Sequence, residues 1–260
     1  MEYSDLMADT EKPKDKKSGF WSTIRTIAYA VIAAMVVRSV ALEPFNIPSG
    51  SMIPTLLVGD YLFVSKYSYG YSKHSLPWDL DLFDGRIFGS EPKRGDVAVF
   101  KLPRDNDTDY IKRIVGLPGD RISVQRGVLV INDIPIRRRQ VENFEFKDFS
   151  GRVRSISQFE EILPNAVQHY TLDSNPNGTL DNTKVYTVPQ GHFFAMGDNR
   201  DNSLDSRIDN AYSGVGFIPA ENLVGRAEFI FYSTNGAANI WEVWKWGEAT
   251  RFERLFTAIR

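Results

Sequence analysis

From residue 20 to residue 42 the chain reads FWSTIRTIAYAVIAAMVVRSVAL, an apolar run free of the Gly, Pro, Asn and Asp that punctuate the rest of the sequence. As a helix these 23 residues would be roughly 35 Å long, enough for a hydrocarbon core of about 30 Å. Arg25 and Arg38 leave 12 uninterrupted residues between them, a length that also suits a buried core helix or the apolar part of a signal peptide. Both arginines sit near the ends, where they can snorkel. Lys12, Lys14, Lys16 and Lys17 precede the run, whereas Glu43 follows it and no further cation comes until Lys66. The positive-inside rule then puts the N-terminus in the cytoplasm. This predicts a cytoplasmic tail over 1–19, a single transmembrane anchor over 20–42, and an extracytoplasmic domain over 43–260. A cleaved signal peptide is the competing reading. It conflicts with the 19-residue polar tail ahead of the run and with the lack of a small-x-small site after it.

Beyond residue 42 apolar residues recur mostly with period two in short runs bounded by turn residues, a strand-and-turn pattern. DYLFVSKY, GDVAVFKL, YIKRIVGL, DRISVQ, GVLVIND, GHFFAMG and GRAEFIFYS read as strands, with Arg126-Gly127 as a hairpin turn. The expected fold class is therefore mostly β, an antiparallel domain of about 218 residues with few helices. Two polar stretches, around 71–92 and 137–182, read as excursions from the core. In the C-terminal segment 240–260, Trp241, Trp244 and Trp246 precede Phe252, Leu255, Phe256 and Ile259 at spacings that make one helical face, to be packed on the domain or laid on a bilayer.

Composition removes whole classes of chemistry. Lys and Arg number 31 against 33 Asp and Glu, so the net charge of −2 supplies no global field for nucleic acid. Without cysteine there is no disulfide, thiol nucleophile, Cys-ligated zinc or iron–sulfur cluster. The three histidines, His74, His169 and His192, share no familiar ligand spacing. Asp198, Asp201 and Asp205 could form a divalent-cation loop, but Arg200 and Arg207 are interleaved with them and would pair with the carboxylates. Asp105, Asp107 and Asp109 begin like an EF-hand, yet Tyr110 stands at its glycine position and Gly116 at its glutamate position. No metal and no cofactor is expected.

A serine needs a base to become a nucleophile, and one serine-bearing loop follows directly after the apolar run. Ser49, Gly50 and Ser51 sit between Pro48 and Pro54, where neither helix nor regular strand continues, so this loop can present a hydroxyl beside a backbone N–H. No GxSxG or SxxK motif supplies a local base. Lys112 in DYIKRIVGLPGD is the candidate: strand alternation puts it with Tyr110 and Ile114, while Arg113 faces with Ile111 and Val115. At most one of these adjacent cations can easily be on the solvent side. An ordinary lysine, with a pKa of about 10.4, is neutral only roughly 4 times in 10,000 at pH 7, and burial of the Lys112 face would remove most of that deficit. A lysine in a strand is otherwise simply solvated or snorkelling at a core edge. By composition the serine loop is an ordinary turn.

PSGSMIPTL, GDYLFVSKYSYG, RGDVAVFKLP, DYIKRIVGLPGD and MGDNRDNSLDSR follow one another directly after the apolar run, and in this order they resemble the bacterial type I signal peptidases, membrane-bound Ser/Lys peptidases that release secretory signal peptides. The resemblance covers the chain discontinuously from about Phe45 to Arg207. It implies that Ser51 is the nucleophile and Lys112 its general base, with the Ser51 N–H and the Ser49 hydroxyl as oxyanion hole. It implies that Ser203 orients the Lys112 amine by a hydrogen bond, that Asp205 and Arg207 form a supporting ion pair, and that Gly197 and Asp198 shape the turn. Phe45, Ile47, Met52, Leu56, Val99, Tyr110 and Ile111 match positions lining two shallow pockets that favour Ala-x-Ala. The implied partners are preproteins emerging from the export machinery and the lipid bilayer, and the implied location is the cytoplasmic membrane with the catalytic domain outside. A membrane-tethered β domain that binds exported polypeptides without cleaving them, and a Ser/Lys protein that cleaves its own chain, are the alternatives.

Overall fold

A computed structural model describes residues 16–72, 85–147, 152–209, 214–238 and 241–260. Helix α1 (Lys16–Val40) precedes strands β1 (Leu42–Asn46), β2 (Asp60–Ser65), β3 (Val97–Lys101), β4 (Asp109–Gly116), β5 (Arg121–Gln125) and β6 (Val128–Ile131). Then come β7 (Ile134–Pro135), β8 (Arg137–Gln140), β9 (Phe144–Lys147), β10 (Val153–Ile162), β11 (Gln168–Asp173), β12 (Tyr186–Thr187) and β13 (His192–Met196). The remaining elements are β14 (Ile218–Pro219), β15 (Leu223–Ser233), the one-turn helix α2 (Trp246–Ala249) and β16 (Thr257–Ala258).

The eight-stranded main sheet runs β1-β2-β15-β3-β4-β13-β14, with β16 added to β15, and every paired register in it is antiparallel. All seven expected strands are present, and the architecture is the mostly β, antiparallel one expected. Alternation explains how a central strand serves two layers. In β3, Val97 and Val99 enter a core with Met52, Leu56, Leu62 and Val64, while Ala98 and Phe100 enter another with Ile114, Phe193 and Leu223. A third core, built on Ile122, Val124, Leu129, Ile131 and Phe194, lies under the small sheet β12-β5-β6-β7. Between β5 and β6 the hairpin turn is Arg126-Gly127, at φ 50° and 77°, the positive values that a two-residue type I′ turn requires.

The structure departs from the sequence reading in three places. The polar stretch 137–182 is itself a sheet, β11-β10-β8 with β9 on β10. Strand β8 is mostly exposed and β10 runs from exposed to half-buried, so polar side chains on both faces conceal their alternation, whereas β11 is mostly buried. Secondly, the C-terminal segment is not one helix: Phe252–Arg254 is a single 3₁₀ turn and Thr257–Ala258 is a strand on β15. Strand β3 pairs with β15 only over Leu223–Arg226, leaving the rest of that edge open. β16 pairs there, held by Arg254, which binds Asp60 and the Thr55 carbonyl. Edge pairing has overridden the helical spacing. Thirdly, the helix runs over 16–40 rather than 20–42, and Leu42 already belongs to β1. Its side chains at 19–33 are exposed, and among the described residues no helix is long and apolar enough to cross a membrane. The tail over 1–15 and most of the 71–92 stretch, residues 73–84, lie outside the described residues.

Candidate active site

The loop between β1 and β2 carries Ser49 and Ser51. Met52 and Leu56 are fully buried beneath it and anchor it to the core, and Leu56 N–H closes a turn onto the Met52 carbonyl at 2.9 Å. These two residues were expected to line substrate pockets; they lie under the cleft instead, because the loop needs apolar anchors below its reactive crest. Ser51, so held, projects its hydroxyl toward β4, where Lys112 Nζ stands 2.7 Å from Ser51 Oγ. The same nitrogen donates to the Ile111 carbonyl at 2.8 Å and lies 5.2 Å from the Tyr110 ring centroid.

Both cations of the Lys112-Arg113 pair are buried, Lys112 at 3% exposure and Arg113 at 0%. At most one of them was expected on the solvent side, and neither is there, because this part of β4 is covered on both faces, with Ile111 and Val115 packed in cores on one side and Ile114 in a core on the other. The two are handled differently. Arg113 forms a bidentate pair with Asp198, at 2.9 and 2.7 Å, and also donates to the Gly95 carbonyl. Among the described residues Lys112 has no carboxylate in contact, and burial pulls its ammonium down to about 8, while the more distant Asp205 and Asp198 oppose the shift.

The turn-rich loop at 196–207 closes over this pair. Arg207 binds Asp205 through Nε and Nη2 at 2.9 and 2.8 Å, and the Gly197 N–H donates to Asp205 at 3.0 Å, so the supporting ion pair is present. Burial alone would raise both carboxyls; Arg207 outweighs it at Asp205 and Arg113 at Asp198, holding both below the usual range. Asp198 does more than shape a turn, since it joins the loop to β4 through Arg113 and to the serine loop through Thr55, whose hydroxyl donates to it at 2.5 Å. A Cβ on Gly197 would lie 2.2 Å from Ser203 Oγ and 2.6 Å from the Ser51 carbonyl, so only glycine permits this approach. Ser203 was expected to orient Lys112. No hydrogen bond joins the two among the described residues: the amine donates to Ser51 Oγ and the Ile111 carbonyl, while the buried Ser203 hydroxyl lies close enough to Asp205 to help hold that carboxyl down.

Around the two serines and Lys112 opens a cleft of about 560 Å³. Of the residues proposed from sequence for substrate pockets, Phe45, Ile47, Val99, Tyr110 and Ile111 line this cleft, together with Asn46, Asp109, Asn199, Asn202 and Leu204, which the sequence reading did not single out. Ser49 Oγ is 3.5 Å from Ser51 Oγ. The Ser51 N–H donates to no acceptor among the described residues and remains available to a ligand. Asp198 and Asp205 are taken by arginines. Asp173, Asp181 and Asp201 bring one oxygen each within 4.8 Å of one another, but Arg138 pairs with the first, the Gly178 N–H with the second and the Ser174 and Asn175 N–H groups with the third. The chemistry available is thus that of a hydroxyl with a buried amine at hydrogen-bond distance and a free N–H beside it.

The family model described as signal peptidase, peptidase S26, matches residues 20–232. A signal peptidase I of Rickettsia akari (strain Hartford) is 39% identical over 260 residues, covering 94% of this chain and 93% of that protein. One from Rickettsia conorii (strain ATCC VR-613 / Malish 7) is 37% identical over 273 residues, covering 98% and 97%. A crystal structure of a signal peptidase I from Enterococcus faecalis V583 aligns at 23% identity over 53% of this chain and 97% of that one, with a TM-score of 0.30 too low to bear on the fold. On the family match and on identities above 30% across nearly the whole length, the chain belongs to the signal peptidase family, peptidase S26, and is a serine endopeptidase.

Proposed function

We infer that this peptidase cleaves signal peptides from exported preproteins after small-x-small sites such as Ala-x-Ala, with Ser51 as nucleophile and Lys112 as general base. The observation that carries the reading is the 2.7 Å approach of a buried, carboxylate-free lysine to a serine hydroxyl at the floor of an apolar cleft. Neutral Lys112 takes the Ser51 proton as Oγ attacks the scissile carbonyl. The oxyanion of the tetrahedral intermediate is held by the Ser51 N–H and the Ser49 hydroxyl. The C–N bond then breaks, the lysine proton passes to the leaving amine, and the signal peptide stays esterified to Ser51. Water deprotonated by the same lysine hydrolyses the ester. This sequence of steps uses no cofactor.

The cleft sits beside β1, an edge strand whose outer backbone groups can pair with an extended peptide. Its apolar walls at Phe45, Ile47, Val99 and Ile111 suit small side chains. Helix α1, the lysines ahead of it and the exposed Trp241 and Trp244 support anchoring of the chain at the cytoplasmic membrane with the domain outside, where preproteins leave the export machinery. The test is cleavage of an Ala-x-Ala preprotein by detergent-solubilised wild type, Ser51→Ala and Lys112→Met, each checked for folding by circular dichroism. Turnover lost in both folded variants is expected; turnover retained in either would overturn the dyad.

A further inference from the structure

Asn199 holds the nucleophile turn from both sides. Its side-chain Nδ2 donates to the Gly50 carbonyl at 2.9 Å, and its backbone N–H donates to the Ser51 carbonyl at 3.0 Å. Those two carbonyls flank Ser51, so a single residue of the 196–207 loop grips the peptide units on either side of the nucleophile. Asn199 is 6% exposed, and its own amide is oriented by Asn202, whose Nδ2 donates to Asn199 Oδ1 at 3.3 Å.

The Gly50 carbonyl belongs to the same peptide unit as the Ser51 N–H. That peptide is trans, so its C=O and N–H point in opposite directions along one rigid plane. A donor on the carbonyl side therefore fixes where the N–H aims on the other side. It also polarises the amide, because a carbonyl that accepts a hydrogen bond makes its own N–H a stronger donor. The Gly50 carbonyl additionally accepts the Ile53 N–H at 3.2 Å, but that bond closes the local turn and lies within the loop itself. Asn199 is the contact that references the peptide to a separate, rigid part of the fold, the loop held by the Arg113–Asp198 and Arg207–Asp205 pairs.

We propose that Asn199, oriented by Asn202, is a positioning residue that aims and polarises the Ser51 N–H as an oxyanion donor. This rests on the reading of Ser51 as the nucleophile. Asn199 transfers no proton and touches neither Lys112 nor Ser51 Oγ by a hydrogen bond, so its effect belongs to the transition state and leaves the pKa of the base alone. Outright removal of an oxyanion donor costs about 10²–10³ in kcat. Here the donor remains and loses its support, so a fall of about 10- to 100-fold is expected.

The experiment measures kcat, KM and the pH–rate profile of the detergent-solubilised full chain on an Ala-x-Ala peptide, for wild type, Asn199→Ala, Asn202→Ala and the double variant, with Ser51→Ala alongside. Affinity for a peptide aldehyde carrying the same sequence reports the tetrahedral adduct directly. Asn199→Ala is expected to lower kcat and aldehyde affinity together, with KM within about threefold of wild type and the profile unmoved. Asn202→Ala, which keeps the Asn199 side chain, should show a smaller loss of the same kind even if Asn199→Ala folds poorly. The double variant should be no worse than Asn199→Ala, because both act through one amide. A loss confined to KM, a shifted pH profile, or losses that multiply in the double variant would overturn the proposal. If Ser51→Ala itself stays active, the reading of the nucleophile fails; if Ser51→Ala is dead while Asn199→Ala turns over like wild type, only the clamp fails.

Discussion

Lys112 should report its protonation in two independent observables, rate and stability. With its pKa near 8, the amine is neutral in roughly one molecule in eleven at pH 7, against roughly 4 in 10,000 for an ordinary lysine, a gain of about 200-fold in competent base. The neutral fraction rises from about 1% at pH 6 to about 90% at pH 9. The kcat/KM for a neutral Ala-x-Ala peptide should therefore climb roughly 90-fold over that range. Stability carries the opposite face of the same shift. Because the folded pKa is lowered, the unfolded chain binds more protons between about pH 8 and 10.4, so wild-type stability rises with pH through that window and the penalty is full below it. The difference, at about 1.36 kcal/mol per unit, is about 3 kcal/mol. Lys112→Met, similar in length and uncharged, should thus be inactive yet more stable than wild type by up to about 3 kcal/mol at pH 7, with the advantage shrinking toward pH 10. Chemical denaturation followed by circular dichroism at several pH values, beside the rate profile, measures both. A rate flat from pH 6 to 9 with a stability advantage unchanged between pH 7 and 10 would refute the buried-amine account.

Other perturbations separate support from chemistry. Arg113→Met should destabilise the domain by about 3–5 kcal/mol in denaturant titrations, because it leaves the fully buried Asp198 carboxylate unpaired; Asp198→Asn, which keeps the shape and one acceptor oxygen, should cost less. Leu56→Ala should cost about 2–5 kcal/mol, while the preference of the remaining folded enzyme for Ala over larger residues, read by competing peptides, stays as in wild type, since Leu56 lies under the cleft and not in it. Gly197→Ala should reduce kcat at least tenfold, because the new methyl collides with the Ser51 carbonyl and Ser203; wild-type turnover would show that the loop can retreat without moving the nucleophile.

The serine turn, the lysine strand and the Gly-Asp-Asn loop were legible as separate segments because each carries a local signature: prolines flanking Ser49 and Ser51, period-two alternation around Lys112, and turn residues interleaved with arginines. The burial of Arg113 was not legible, since alternation assigns faces and cannot say whether both are covered. Nor could spacing show that Met52 and Leu56 are anchors while Asn199 and Asn202 reach the cleft, because apolar residues beside a nucleophile look the same whether they face substrate or core. The C-terminal segment shows the reverse error: its helical spacing is real, but the open edge of β15 offered backbone partners that no local pattern records.

By itself, then, the amino-acid sequence determined the β-rich class, the seven principal strands, the hairpin at Arg126-Gly127 and the residue types available for chemistry, because these depend on periodicity, turn conformations and functional groups within a few residues of one another. Tertiary structure decided which groups meet. Ser51 and Lys112 are 61 residues apart and become hydrogen-bond partners only when β4 takes its place beside β3 in the main sheet. The lowered pKa likewise belongs to no residue alone: burial disfavours the Lys112 ammonium by more than the distant Asp205 and Asp198 carboxylates stabilise it. Long-range contacts and desolvation are properties of the packed whole, and they convert an ordinary turn serine and an ordinary strand lysine into a candidate catalytic pair.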